Sequence, residues 1–206
     1  MKTFYDVTAP IFEGMPVYKN KPEKQPSINP TTNGYVTESR LALDAHTGTH
    51  IDAPLHMIEK GETFETISLD KLVGDAKVFD LTTTVIEDRI SKADIEHLDI
   101  QEGDFVLFKT KNSFDTEFNF DFIFVAKDAA EYLAEKKIRG VGIDALGVER
   151  AQEGHPTHKT LFGANVVVIE GLRLADVPAN NYFMVAAPMK LVGTDASPAR
   201  VLLFDK

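Results

Sequence analysis

The sequence predicts an α/β protein, a single domain with a mixed β-sheet flanked by helices. Three observations carry this. Residues 166–169 (VVVI) form a continuous β-branched run, as in a strand buried on both faces. Residues 126–138 place Ala129, Ala130, Leu133, Ala134 and Ile138 at helical spacing. Strand-like and helix-like stretches interleave without the strict period of a parallel βαβ array, so the sheet is expected to be mixed.

Taken in order, residues 3–8 read as a short strand. Pro10, Pro16, Pro22, Pro26 and Pro30 then punctuate a long segment. Each proline fixes φ and lacks an N–H, so residues 10–30 are expected to be an irregular loop, neither helix nor central strand. A loop of that length in a compact domain usually serves function. Its apolar members Met15, Val17 and Tyr18 either plug it onto the body or belong to a substrate lid. Residues 35–45 read as a strand delivering the chain to His46. Residues 66–73 are expected to be helical, with Thr66 or Ser68 near the start, and residues 76–81 a strand. Ser91 suits the N-cap of a short helix running to about residue 98. Gly103 and Asp104 lead into a strand over 105–110. The helix over 126–138 is expected to stop at Gly140. Residues 141–146 (VGIDAL) and 166–169 read as buried strands, and 183–187 and 199–204 as closing strands. There is no repeat, low-complexity tract or linker, so residues 1–206 are expected to form one domain.

Composition narrows the function. The 206 residues suffice for a sizeable core, and 43% apolar is ordinary for a globular chain. The chain has no cysteine, so any metal must sit on His, Asp and Glu. The first ten residues lack the apolar run of a signal peptide, and no stretch approaches the ~18 apolar residues of a membrane span. A cytoplasmic protein with no membrane partner is the expectation. A net charge of −10 without a basic cluster argues against nucleic acid.

The functional signal is His46-Thr47-Gly48-Thr49-His50-Ile51-Asp52-Ala53-Pro54-Leu55-His56, which holds three of the six histidines. Imidazole and carboxylate suit a borderline divalent ion such as zinc or manganese. A helical His-x3-His site is excluded by Gly48, Thr49, Ile51 and Pro54, which disfavour helix. Gly48 instead permits a tight bend. Beyond it, His50 and Asp52 are two residues apart and share one side of an extended segment. Bend plus strand can therefore bring His46, His50 and Asp52 to one point. Surface histidines on a loop would be the reading for one lone histidine; it does not suit three with an aspartate.

The run resembles the His-x-Gly-Thr-His-x-Asp-x-Pro-x-His signature of the cyclase-like metal-dependent hydrolases, a family that includes bacterial kynurenine formamidases and isatin hydrolases. The resemblance implies a swivelling β/β/α domain. It also implies a distal ligand pair, a histidine followed twelve residues later by a glutamate, which falls on His158 and Glu170. His155 sits at the wrong offset and reads as a surface or neighbouring residue; His97 lies on a polar helix and reads as solvated. His46, His50, Asp52, His158 and Glu170 would then hold one or two divalent ions, zinc before manganese. His56 would move protons during attack of activated water on an amide carbonyl. Family formamidases line the pocket with an aromatic residue, often Trp; this chain has no Trp, and Tyr18 looks like the nearest equivalent. Relatives often carry a serine soon after the position of Asp144, where this chain reads Ala145-Leu146-Gly147. Asp144 itself is expected to hydrogen-bond a nearby turn. The tail 191–200 resembles the family's C-terminal segment and packs at the site or at a subunit contact. A homodimer or larger homo-oligomer is also implied.

The expected reaction is hydrolysis of a small molecule, N-formylkynurenine, to kynurenine and formate. The runner-up opens a cyclic amide or lactone. A third reading, a metal-binding protein without catalysis, has no use for a base at His56.

Overall fold

The computed structural model describes residues 4–150 and 152–206; Thr3, in the expected first strand, lies outside them. Strands β1 (Phe4–Asp6), β2 (Ser27–Asn33), β3 (Val36–Ala42), β4 (His50–Asp52), β5 (Val73–Asp80), β6 (Arg89–Ile90) and β7 (Phe105–Lys109) come first. They are followed by β8 (Phe124–Val125), β9 (Gly140–Ile143), β10 (Val167–Glu170), β11 (Asn180–Pro188) and β12 (Ala196–Asp205). Helices are few: α1 (Lys92–Ile95), α2 (Lys127–Glu135) and α3 (Pro156–Gly163).

Eight strands form a mixed sheet in the order β1-β12-β11-β5-β7-β9-β10-β4. β4 also pairs with the start of β12, so the sheet closes on itself as a barrel-like ring. Closure gives the short strand β4 a partner on each side, so it exposes no free edge. β5, β7, β9 and β10 run parallel; β11, β12 and β4 join antiparallel.

Strand alternation divides the apolar residues into two cores. Phe105, Leu107, Val167, Ile169, Ile51 and Val201 face the inside of the ring. Val106, Phe108, Val141, Ile143 and Val168 face outward, where α2 and α3 cover them with Ala129, Leu133, Leu161 and Phe162. Because successive strand side chains point to opposite faces, burying Ile51 and Ile169 inside the ring forces His50, Asp52 and Glu170 to its outer face, towards α3.

Several expectations need correction. Residues 66–73 are not a helix. Phe64–Thr66 and Leu69–Lys71 are single 3-10 turns, and Val73 opens β5. Phe64 and Leu72 both bury in the ring core, so tertiary packing sets this segment. The helix ahead of Gly140 ends at Glu135, and Lys137 (φ 54°) takes the left-handed turn. Gly140 instead starts β9, where a Cβ would collide with the Phe105 ring. The proline-rich segment is irregular only to residue 26; Ser27–Asn33 pairs with Val36–Ala42 in an exposed hairpin that includes Pro30. Met15 and Val17 are buried and plug the loop onto the body. His158 lies on α3, which Pro156 opens at its first turn. The Ser91 N-cap forms, with Asp94 completing a capping box.

Asp144, at the end of β9, is buried and gathers the 110–113 turn. It accepts from the backbone N–H groups of Thr110 (2.6 Å) and Ser113 (3.1 Å) and from both their hydroxyls (2.8 and 2.5 Å). Burial raises its pKa while these donors oppose the rise. Asp144→Ala strands buried donors that cost ~1–3 kcal/mol each. We expect urea unfolding to show a loss of at least ~3 kcal/mol; a loss under ~1 kcal/mol would remove Asp144 from this role.

Candidate metal and proton-transfer site

The bend at His46 is built by its neighbours. The Asp44 carboxylate accepts from the His46 N–H (3.0 Å), and the Thr47 hydroxyl donates to the Asp44 carbonyl (2.7 Å). Gly48 sits at φ 64°, which glycine adopts without strain. The Thr49 hydroxyl donates to the Gly171 carbonyl (2.6 Å) and accepts from the Ala9 N–H (2.8 Å). The bend is thus clamped to the end of β10. There Gly171, at φ 71°, lies so close that a Cβ would be 2.5 Å from the Gly48 carbonyl oxygen.

β4 and β10 pair with Glu170 opposite His50 and Val168 opposite Asp52. His50, Asp52, His158 and Glu170 are all buried. His50 Nε2 lies 3.3 Å from Asp52 Oδ1 and 3.2 Å from Glu170 Oε2. His158 Nε2 lies 3.7 Å from Asp52 Oδ2 and 3.4 Å from Glu170 Oε1. His46 Nδ1 lies 3.0 Å from Asp52 Oδ1. The structure therefore brings together His46, His50, Asp52, His158 and Glu170.

Each imidazole is held from behind. His50 Nδ1–H donates to the Gly48 carbonyl (2.9 Å). His158 Nδ1–H donates to Glu149 (2.8 Å). His46 Nε2–H donates to Asp195 (3.0 Å). These partners leave the other ring nitrogens as lone pairs aimed inward at two carboxylates, so acceptor faces acceptor. His50 Nε2, His158 Nε2 and both Asp52 oxygens are buried without a hydrogen-bond partner. A buried polar atom without a partner is costly. A cation at the centre removes that cost, and imidazoles held from behind by a carboxylate or carbonyl suit metal ligation. The residues fit a divalent metal.

Electrostatics agree. Burial alone lowers an imidazole's pKa, yet Asp52 and Glu170 outweigh it and raise His50 to about 10. His158 is raised for the same reason, with Glu149 adding to the carboxylates. Glu170 is pushed up by burial and by Asp52, but His158 and His50 carry it down to about 2. The pocket holds both carboxylates ionised and calls for positive charge.

His56 stands beside the cluster, on a 3-10 turn (Pro54–His56). Its ring centroid is 4.1 Å from that of His46 and 5.7 Å from that of His158. Burial lowers its pKa. Tyr18 is half-buried against Phe118, with ring centroids 5.4 Å apart, and shares a narrow slot with His46 and Leu146. His155 is exposed, with Nδ1 3.8 Å from Glu149; His97 is exposed on the surface. An apolar cleft of about 300 Å³ includes Phe12, Met15, Phe118 and Phe122; Gly48 and Gly171 lie on its wall, but none of the cluster's side chains does.

Two site residues escaped the sequence reading. Glu149 reaches His158 from a loop, a contact that no spacing signals. Asp195 lies in the tail 191–200, which packs at the site.

A mixed sheet closed into a ring, with a buried imidazole–carboxylate cluster on its outer face, defines a protein of the cyclase-like class. The chain belongs to the cyclase family, whose model matches residues 5–150. It is 36% identical to a kynurenine formamidase of Salinibacter ruber, over 80% of this chain and 78% of that one. It is 75% identical to the solved structure of a predicted metal-dependent hydrolase from Bacillus stearothermophilus, covering 100% of both chains with a TM-score of 0.93. Isatin hydrolase A of Labrenzia aggregata is 25% identical, covering 98% of this chain and 93% of that one, with a TM-score of 0.85.

The Gly48–Gly171 approach yields a test. Gly171→Ala adds left-handed strain of ~1 kcal/mol and a backbone clash of ~1–3 kcal/mol. We expect a stability loss of about 2–4 kcal/mol in urea unfolding; an unchanged midpoint would show that the bend is free to move away from β10.

Proposed function

We propose that the chain is a metal-dependent amide hydrolase that cleaves N-formylkynurenine to kynurenine and formate. The observation that carries this is the cluster itself: three imidazoles, each fixed from behind, turn unpartnered nitrogens onto two buried carboxylates, with a fourth imidazole alongside. The name of the Salinibacter relative supports the formamide as substrate. Residues 1–206 would act as one domain.

His46 (Nδ1), His50 and His158 (Nε2), Asp52 and Glu170 would hold the metal. With three nitrogen donors and two carboxylates we assign zinc first and manganese second. Asp52 faces all three imidazoles and is the group placed to serve two ions, should a second bind. When bound, a divalent ion lowers the pKa of water from ~15.7 to ~7 and polarises a carbonyl.

The chain's own residues do the rest. Water adds its oxygen to the formyl carbon and the C–N bond breaks. His56, half-buried and kept neutral near pH 7 by its lowered pKa, takes the water proton and returns it to the departing aniline nitrogen. Tyr18, on a loop pinned by buried Met15 and Val17, offers a ring face to the substrate's aromatic part. Among the described residues no helix is long and apolar enough to cross a membrane. We place the enzyme in the cytoplasm as a homodimer or larger homo-oligomer. The likeness to isatin hydrolase A favours ring opening of a cyclic amide as the alternative, with the same groups in the same roles.

Incubation with zinc or manganese should load the protein and raise its melting temperature, since a ligand bound only by the folded state stabilises it. In His56→Ala, metal content should hold while kcat on N-formylkynurenine falls by roughly 10²–10⁴. No metal uptake, or wild-type turnover by loaded His56→Ala, would sink the reading; faster turnover of isatin than of the formamide would favour the alternative. Tyr18→Ala should raise KM for N-formylkynurenine more than for a small aliphatic formamide. Equal effects on the two would make Tyr18 a packing residue.

A further inference from the structure

We propose that Asp195 is a positioning residue whose single carboxylate oxygen sets the orientation of both His46 and His56. The proposal rests on reading the cluster as a hydrolase site. Asp195 Oδ2 lies 3.0 Å from His46 Nε2 and 3.4 Å from His56 Nδ1. Among the described residues it is the one side chain that binds both a candidate ligand and the candidate base. An ionised carboxylate only accepts, so both ring nitrogens that face it must carry protons. Nδ1 of His46 is thereby left as a lone pair toward Asp52. Nε2 of His56 is likewise left as the atom that takes a proton.

The backbone holds Asp195 for this task. Its carbonyl accepts from the Ala53 N–H (2.9 Å), and the Thr194 carbonyl accepts from the Phe64 N–H (2.9 Å). Gly193 N–H donates to Glu65 (2.9 Å). The next residue, Ala196, opens β12 directly opposite Asp52. The pairing that closes the ring thus delivers Asp195 to the rim of the cluster. His46 and His56 lie with centroids 4.1 Å apart and planes tilted by 44°, so two rings that would repel if both were charged share one anion between them.

The catalytic consequence is specific. As His56 takes a proton at Nε2, Asp195 already binds Nδ1–H and steadies the imidazolium, as the carboxylate does in a His–Asp dyad. As the proton moves on to the leaving nitrogen, the same contact returns His56 to its starting tautomer. Without Asp195, His56 is free to place its proton on either nitrogen and to rotate.

Long-range 1H–15N spectra of zinc-loaded protein labelled with 15N-histidine test this directly, with the His56 signals identified by their loss in His56→Ala. Wild type should show His56 protonated at Nδ1. In Asp195→Ala, kept loaded by saturating zinc because the support behind His46 is lost, the proton should redistribute to Nε2. On the formamide, kcat should fall ~10–100-fold, with KM within about twofold. Asp195→Asn keeps an acceptor oxygen and the backbone anchors. Its amide NH2 can also donate to His56 Nδ1 and its charge is gone, so it should shift the His56 proton toward Nε2 and lower kcat as the alanine form does, and it serves as the test variant if the alanine form does not fold. Asp195→Ala in a His56→Ala background should add little further loss, because the two act as a unit. An unchanged His56 tautomer in Asp195→Ala, or fully multiplicative losses in the double variant, would overturn the proposal. Should His56→Ala turn over normally, the hydrolase reading fails instead, and the tautomer spectrum still decides whether Asp195 orients His56.

Discussion

The whole site depends on an electrostatic mismatch that the fold refuses to relax. Two carboxylates, Asp52 and Glu170, are buried facing imidazole nitrogens that carry lone pairs. Left alone, such a cluster would draw protons onto the imidazoles, and the raised pKa of His50, about 10, expresses that pull. Glu149 and Asp195 add to that pull, and with the Gly48 carbonyl each fixes the far nitrogen of a different ring, so any further proton has to go to an inward nitrogen. A cation satisfies every inward atom at once, whereas protonation needs a separate proton on each ring. Buried charge is tolerated when it is paired or ligates a metal, and here the pairing is incomplete by one positive centre.

The barrel-like ring makes this mismatch rigid. Ile51 and Ile169 sit in its interior, so their neighbours His50, Asp52 and Glu170 point outward as a matter of strand geometry. β4 is only three residues long, but it is held on both sides, by β10 and by β12. A ligand strand gripped on two edges cannot slip register, and a slip of one residue would turn His50 and Asp52 into the core. Glu149 then couples the helix to the site. Its carboxylate accepts from the N–H groups of Thr157 and His158 at the start of α3 while also holding the His158 ring.

Much of this was legible in the sequence, and the limits have physical causes. The bend and the shared side of His50 and Asp52 follow from Gly48 and strand parity, which are local. His158 and Glu170 were reached through resemblance, because a twelve-residue offset spanning a helix and a strand carries no local periodicity. The helix expected over 66–73 failed for a related reason: Phe64 and Leu72 answer to the ring core and not to their neighbours. The hairpin 27–42 was half read, since Pro30 masked its first strand. Glu149 and Asp195 are bound to their histidines by loop and strand geometry across 9 and 149 positions of chain. Nothing short of the fold brings them together.

Exposure divides the labour inside the cluster. His50, Asp52, His158 and Glu170 are sealed, while His46, His56 and Asp195 form the open rim, with side-chain exposures of 16%, 26% and 42%. Groups that must hold charge without exchanging it belong in the sealed part, where a low dielectric strengthens their hold. A group that must pass a proton between water and a leaving nitrogen needs access to both. His56 stands at that boundary, its ring tilted against that of His46, which lines Tyr18's slot. The sheet-closing pairing of β12 with β4 therefore does two things with one stretch of chain: it locks β4, and it sets the Asp195 carboxylate beside His56.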